Sequence, residues 1–212
     1  MLLTANQFFS FLATALIITV SPGPDNLMVL SVGISRGRKQ GMAFGLGCAL
    51  GCLSHTLLAA LGISALIAAS PRAFTVLKII GGLYLIYLGV LALRSRGIEG
   101  QRKLAASSKT EESLFKLFFK GLIANSINPK VVLFFLSFLP QFIVQQNGSA
   151  GWQTAQLGLL FTTQAVILFG LLGYFSGIVG NWLNRRPTAG LWLDRMAGSI
   201  FIALGLRLVF KR

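Results

Sequence analysis

The sequence predicts an all-α integral membrane protein of six transmembrane helices, built as two inverted three-helix repeats with helices one and four broken at proline. Three observations point there. The 212 residues are 54% hydrophobic and only 11% charged, against roughly 25% charged in soluble domains. Apolar runs recur that reach about 20 residues, the length that crosses ~30 Å of hydrocarbon at 1.5 Å per residue. Two of these runs are interrupted in related ways, at Pro24-Asp25 and at Pro129-Lys130.

Segment one covers 5–30 and is broken at Pro22–Pro24. Its start, MLLTANQ, has no basic residue, and no small-residue cleavage site follows, so it is expected to remain in the mature protein. A proline removes one helical hydrogen bond and clashes with the preceding turn. In lipid such a break survives only where protein or a water-filled cavity covers the freed groups. Ser21, Pro22, Gly23 and Pro24 unwind the chain, and Pro24 restarts it at a first turn, where a missing N–H costs little. Asp25 falls in that turn, at the positive end of the helix dipole. A carboxylate at the bilayer centre costs a few kcal/mol, so Asp25 is expected to face a polar cavity. There it binds a substrate ammonium or carries a coupling proton. The plainer alternative is a kink with Asp25 capping the half-helix near an interface.

Segment two, 41–68, is rich in small residues: Gly41, Gly45, Gly47, Cys48, Ala49, Gly51 and Cys52 make a surface for close helix approach, within one chain or between chains of a homo-oligomer. Cys48, Cys52 and His55 follow i, i+4, i+7 and share one stripe. His55, the only histidine, can shuttle a proton, and the stripe can hold a soft metal. GLGCALG has the wrong spacing for a dinucleotide fingerprint.

Segment three is 73–93, and segment four is 117–144, broken near Pro129. In ANSINPK, Asn125 and Asn128 can satisfy unwound backbone, Pro129 restarts the helix, and Lys130 is a candidate for a substrate carboxylate. Alternatively Lys130 pairs with Asp25 or snorkels to an interface. Segments five, 153–181, and six, 191–210, complete the set, with Gln141 and Gln164 as further polar candidates for lining a pore. Trp152, Trp182 and Trp192 fall at segment ends, where an aromatic belt places them.

The whole chain, 1–212, reads as one transmembrane domain: a first repeat over 1–93, a basic cytoplasmic loop over 94–116, and a second repeat over 117–212. A fixed offset of 116 aligns Lys78 with Asp194, Gly82 with Gly198, and Gly89 with Gly205. Three spans per half is an odd number, so the halves must be inverted, as in many secondary transporters. The loops near 31–40, 94–116 and 182–190 hold eleven basic residues (Arg36, Arg38, Lys39, Arg94, Arg96, Arg102, Lys103, Lys109, Lys116, Arg185, Arg186), against Arg72, Lys211 and Arg212 on the other side. That bias puts the first group in the cytoplasm and both termini outside. A five-span arrangement with segment one or four re-entrant would move one terminus. The net charge of +14 therefore calls for a lipid bilayer rather than nucleic acid, for which there is no motif.

Two broken helices with opposite charges suit a zwitterion bearing an amino and a carboxyl group. No Walker motif, HExxH or intramembrane nucleophile–base pair occurs, so neither enzyme chemistry nor a cofactor or resident metal is expected. The alternative is export of a soft metal ion or thiol compound along Cys48, Cys52 and His55.

SPGPDNLMVLSVGISRGRKQGMAFGLG resembles the N-terminal signature of the LysE/RhtB family, the lysine exporter and homoserine/threonine resistance proteins, and NPKVVLFFLSFLPQF resembles its second signature. The resemblance covers essentially the whole chain. It implies export of amino acids or related small metabolites across the bacterial inner (cytoplasmic) membrane, driven by an ion gradient, with proton antiport expected. It places the family's motifs on Pro22, Gly23, Pro24, Asp25 and Asn26, and on Asn128, Pro129 and Lys130. It adds nothing about His55 or the cysteines.

Overall fold

The computed structural model describes residues 3–95 and 112–210; Arg96, Arg102, Lys103, Lys109, Lys211 and Arg212, used above for orientation, lie outside them. The described chain is all helical: α1 (Ala5–Val20), α2 (Pro24–Arg36), α3 (Arg38–Ala69), α4 (Pro71–Arg94), α5 (Leu114–Ser126), α6 (Pro129–Leu133), α7 (Ala150–Tyr174), α8 (Ser176–Arg185) and α9 (Pro187–Phe210).

Both predicted breaks are present. The α1–α2 pair bends by 54°, and α5 bends from the run that starts at Pro129 by 47°. Among the described residues, three helices are long and apolar enough to cross a membrane, within α3, α4 and α7, and up to five if each bent pair is one span. The sixth predicted segment, α9, forms a 24-residue helix but is not among them; Asp194, Arg195 and Arg207 interrupt its apolar run. Predicted segment five is not continuous either. Ser176 Oγ donates to the Gly173 carbonyl at 2.8 Å, and the chain breaks there into α7 and α8. After α6 the helix loosens into a π turn at Phe134–Phe138 and a 3-10 turn at Leu139–Phe142. Pro140 has no N–H to give the Leu136 carbonyl, so a regular ladder cannot continue there.

Helix α3 runs between α5 and α7, and α9 packs along α4. The α3–α5 crossing needs glycine: a Cβ on Gly121 would collide with the Phe44 carbonyl, and one on Gly47 with the Phe118 carbonyl. The α4–α9 contact is reciprocal. A Cβ on Gly82 would meet Val209 and the Gly205 carbonyl, and one on Gly198 would meet Leu93 and the Gly89 carbonyl; likewise Gly89 faces Ile202, and Gly205 faces Ile86. The sequence offset of 116 carries each contact onto its counterpart, Gly82–Val209 onto Gly198–Leu93 and Gly89–Ile202 onto Gly205–Ile86.

Phe11, Phe134, Phe135, Phe138 and Phe161 form an aromatic core. Many large apolar side chains point outward, among them Phe9, Leu57, Leu58, Leu61, Phe115 and Ile178, a surface suited to lipid rather than water. Glu112 clamps the end of α2 to the start of α5, pairing with Arg36 at 2.9 Å and Lys120 at 2.6 Å. The Lys120 hydrogen bond, then Arg36, holds its carboxyl below the usual range.

Candidate functional site

The two breaks meet in the middle of the molecule. At the first, the helix ends on Val20 and restarts at Pro24. Asn26 Nδ2 reaches back across the gap to the Thr19 carbonyl at 2.8 Å, and Ser21 Oγ donates to the Ile17 carbonyl. Gly23 is fully extended, with φ −168°. At the second, only Ile127 and Asn128 separate the helices, and Asn128 Oδ1 caps α6 by accepting from the Lys130 N–H at 3.0 Å.

Each break then supplies a partner to the other. Asn125, in the last turn of α5, donates through Nδ2 to Asp25 Oδ2 at 2.7 Å. Lys130 Nζ donates to the Ser21 carbonyl at 2.9 Å. Asp25 is 4% exposed and Lys130 5%, so both charges are withdrawn from solvent. Their first partners are a neutral amide and a carbonyl, not each other; the alternative of an Asp25–Lys130 ion pair gives way to this crosswise arrangement. Nor does Lys130 snorkel. Its ammonium lies over the buried Phe201 ring of α9, 4.9 Å from the centroid, and its stem runs beside Gly23, where a Cβ would come within 3.0 Å of Nζ.

Local chemistry explains which of the two charges needs help. Asp25 lies in the first turn of α2, where the exposed N–H groups favour an anion. Lys130 lies in the first turn of α6, where the same groups oppose a cation. The Ser21 carbonyl, just past the end of α1, and the Phe201 face offset that opposition.

A small cavity of about 20 Å³ lies at this crossing, lined by Thr19, Gly23, Asp25, Asn26, Asn125, Asn128, Lys130 and apolar neighbours such as Ile18, Val131, Phe161 and Phe169. That is room for about one water molecule. An amino acid requires the surrounding helices to separate.

Of the residues selected from sequence, Asp25, Asn26, Asn128 and Lys130 thus converge, with Gly23 in the lining and Pro22, Pro24 and Pro129 forming the breaks. His55 stands behind them: its Nε2 lies 3.0 Å from the Asn125 carbonyl, so it carries its proton there and supports the hub. Cys52 Sγ donates to Asn125 Oδ1 at 3.5 Å. Cys48 and Cys52 are free and buried, and no group of three or more His, Cys, Asp or Glu able to hold a metal occurs among the described residues. The soft-metal alternative is not supported. Gln141 does not line the cavity; its Nε2 reaches the Ser137 carbonyl.

Sequence reasoning gave Asn125 only a backbone role, whereas its side chain joins both halves. Its place one turn before Pro129 was the available signal. Phe201 had none.

The LysE type translocator family model matches residues 16–212. The chain is 30% identical to the threonine efflux protein of Salmonella typhi, over 97% of this chain and 98% of that protein. It is 30% identical to the leucine efflux protein of Enterobacter sp. (strain 638), over 95% and 94%. It is 29% identical to the homoserine/homoserine lactone efflux protein of Salmonella typhimurium, over 99% of each. No solved structure matches.

Proposed function

The chain belongs to the LysE type translocator family, and from that premise we propose that it exports amino acids from the bacterial cytoplasm across the inner membrane by proton antiport. The observation that carries this reading is the crossing itself. A buried anion and a buried cation, on opposite breaks, line one small cavity while held by neutral groups. A zwitterion supplies what each lacks. Its ammonium displaces the Asn125 amide from Asp25, and its carboxylate draws Lys130 off the Ser21 carbonyl. Both exchanges replace a charge–dipole contact by a charge–charge contact between groups largely withdrawn from water, where Coulombic attraction is stronger. Asp25, the one carboxylate in the cavity lining among the described residues, is the group that exchanges the proton after the substrate leaves.

The transport cycle rests on six crossings in two inverted repeats, α1–α4 and α5–α9, with the basic stretches near 31–40, 94–116 and 182–190 in the cytoplasm. The exchange symmetry of the α4–α9 contact supports the repeats, and the length of α9, about 36 Å at 1.5 Å per residue, suits a sixth crossing. Alternating access is a rocking of the halves about the crossed breaks. No covalent chemistry is involved.

Everted membrane vesicles containing the protein test this. With an inward-acid gradient they should accumulate one or more labelled amino acids, and amino-acid addition should alkalinise the lumen in step. Accumulation that persists unchanged when a protonophore collapses the gradient would remove proton antiport. No accumulation of any amino acid would remove the substrate class.

A further inference from the structure

Gln164 of α7 is 5% exposed. Its Nε2 spends both hydrogens, one on Thr19 Oγ1 at 2.8 Å and one on the Phe161 carbonyl at 2.9 Å. Both partners belong to residues that line the central cavity. The amide orientation is fixed by the Phe161 carbonyl, which can only accept; turning the amide over would set two acceptors face to face. Gln164 Oε1 is then left buried without a hydrogen-bond partner. Such an orphan acceptor is costly and rare in a folded protein, and a bound donor is one of the few reasons to keep it.

Gln164 is not itself in the cavity lining; it stands behind Thr19 and Phe161, which are, so a substrate donor reaches it only once the helices around the cavity separate. Neither Lys130 nor Asn125 donates to it: Lys130 Nζ is bonded to the Ser21 carbonyl, Asn125 Nδ2 to Asp25, and Gln164 Oε1 has no partner. We infer that Gln164 Oε1 is a neutral acceptor for the substrate's primary ammonium group, completing a subsite with Asp25 beside the first break. This rests on the reading of Asp25 and Lys130 given above. It adds a specificity: a group with three N–H donors satisfies both acceptors, whereas a hydroxyl in its place has a single proton, which Asp25 takes. Gln164 therefore makes the site prefer amino acids to their 2-hydroxy acids.

The test is competition against labelled uptake in everted vesicles, with L-threonine, L-leucine and L-homoserine and the 2-hydroxy acid of each as competitors. The ratio of the two inhibition constants is the readout. Gln164→Met should shrink that ratio by roughly tenfold, the worth of one hydrogen bond to a charged group, by weakening the amino acid alone. Thr19→Val, which frees the amide but keeps Oε1, should shrink it less. Equal weakening of both competitors, or an unchanged ratio in a Gln164→Met protein that still transports, would overturn the inference. If Gln164→Met does not reach the membrane, an unchanged ratio in Thr19→Val overturns it instead. Asp25→Asn separates the failures: wild-type uptake in that variant, or no uptake of any of the three by the wild type, removes the underlying reading and the Gln164 role with it.

Discussion

The two breaks solve one problem with different means. Break one spends Ser21, Pro22 and Gly23 on a wide gap and sets an anion where the α2 dipole welcomes it. Break four spends Ile127 and Asn128, closes with an Asn cap, and sets a cation where the α6 dipole resists it. Break one is therefore stable by local chemistry, while break four borrows the Ser21 carbonyl and the Phe201 face. The lesson is directional. Damage to the first break should propagate to Lys130 more than damage to the Asn128 cap propagates to Asp25.

Gly23→Val sharpens that comparison most. Its side chain would occupy the space of the Lys130 ammonium, and export should fall on the order of 10²-fold, the scale of misplacing a reacting group by about 1 Å. Asn128→Gly, which removes only the cap, should cost under about tenfold, since Gly caps nearly as well as Asn. Efflux from cells loaded with dipeptides measures both, and a larger loss for Asn128→Gly would break the asymmetry.

Asn125→Leu comes next. It strips Asp25 of its donor and should destabilise the protein by about 1–3 kcal/mol, read as a lower melting temperature in detergent. An unaltered melting temperature would mean that the crossing holds nothing together. Phe201→Leu removes the ring beneath Lys130. A desolvated cation–π contact is worth about 2 kcal/mol, so the transport KM should rise by roughly tenfold or more, while Phe201→Tyr stays near wild type. Equal effects of Leu and Tyr would reduce Phe201 to packing.

The smallest effect is expected away from both breaks. Cys48→Ala with Cys52→Ala should leave export within about twofold, because the Cys52 thiol offers Asn125 only a weak hydrogen bond at 3.5 Å. Loss of export there would revive a thiol or soft-metal cargo.

Much of this was legible in the sequence for a physical reason. Proline and a charge inside an apolar run are costly in lipid, so Pro24-Asp25 and Pro129-Lys130 announce themselves as a covered, polar place. The glycine offset between α4 and α9 was legible because close helix approach leaves small residues at fixed spacing. What was not legible depends on which atoms meet across the fold. Nothing near Lys130 in the chain names Ser21 or Phe201 as its partners. Pairing of Asp25 with Lys130 was the alternative that charge alone offered, and the carbonyl freed by the first break takes its place. The break before Ser176 also escaped, since a serine in an apolar helix gives no sign of whether its hydroxyl will take the carbonyl of the preceding turn.

The central claim is that Asp25 and Lys130 hold opposite ends of one substrate. Its most direct test is efflux of amino acids from dipeptide-loaded cells expressing wild type, Asp25→Asn or Lys130→Met, with each protein quantified in the membrane. One or a few amino acids should appear in the medium with the wild type and fall to the level of empty cells with either variant. Wild-type efflux from either variant would contradict the account.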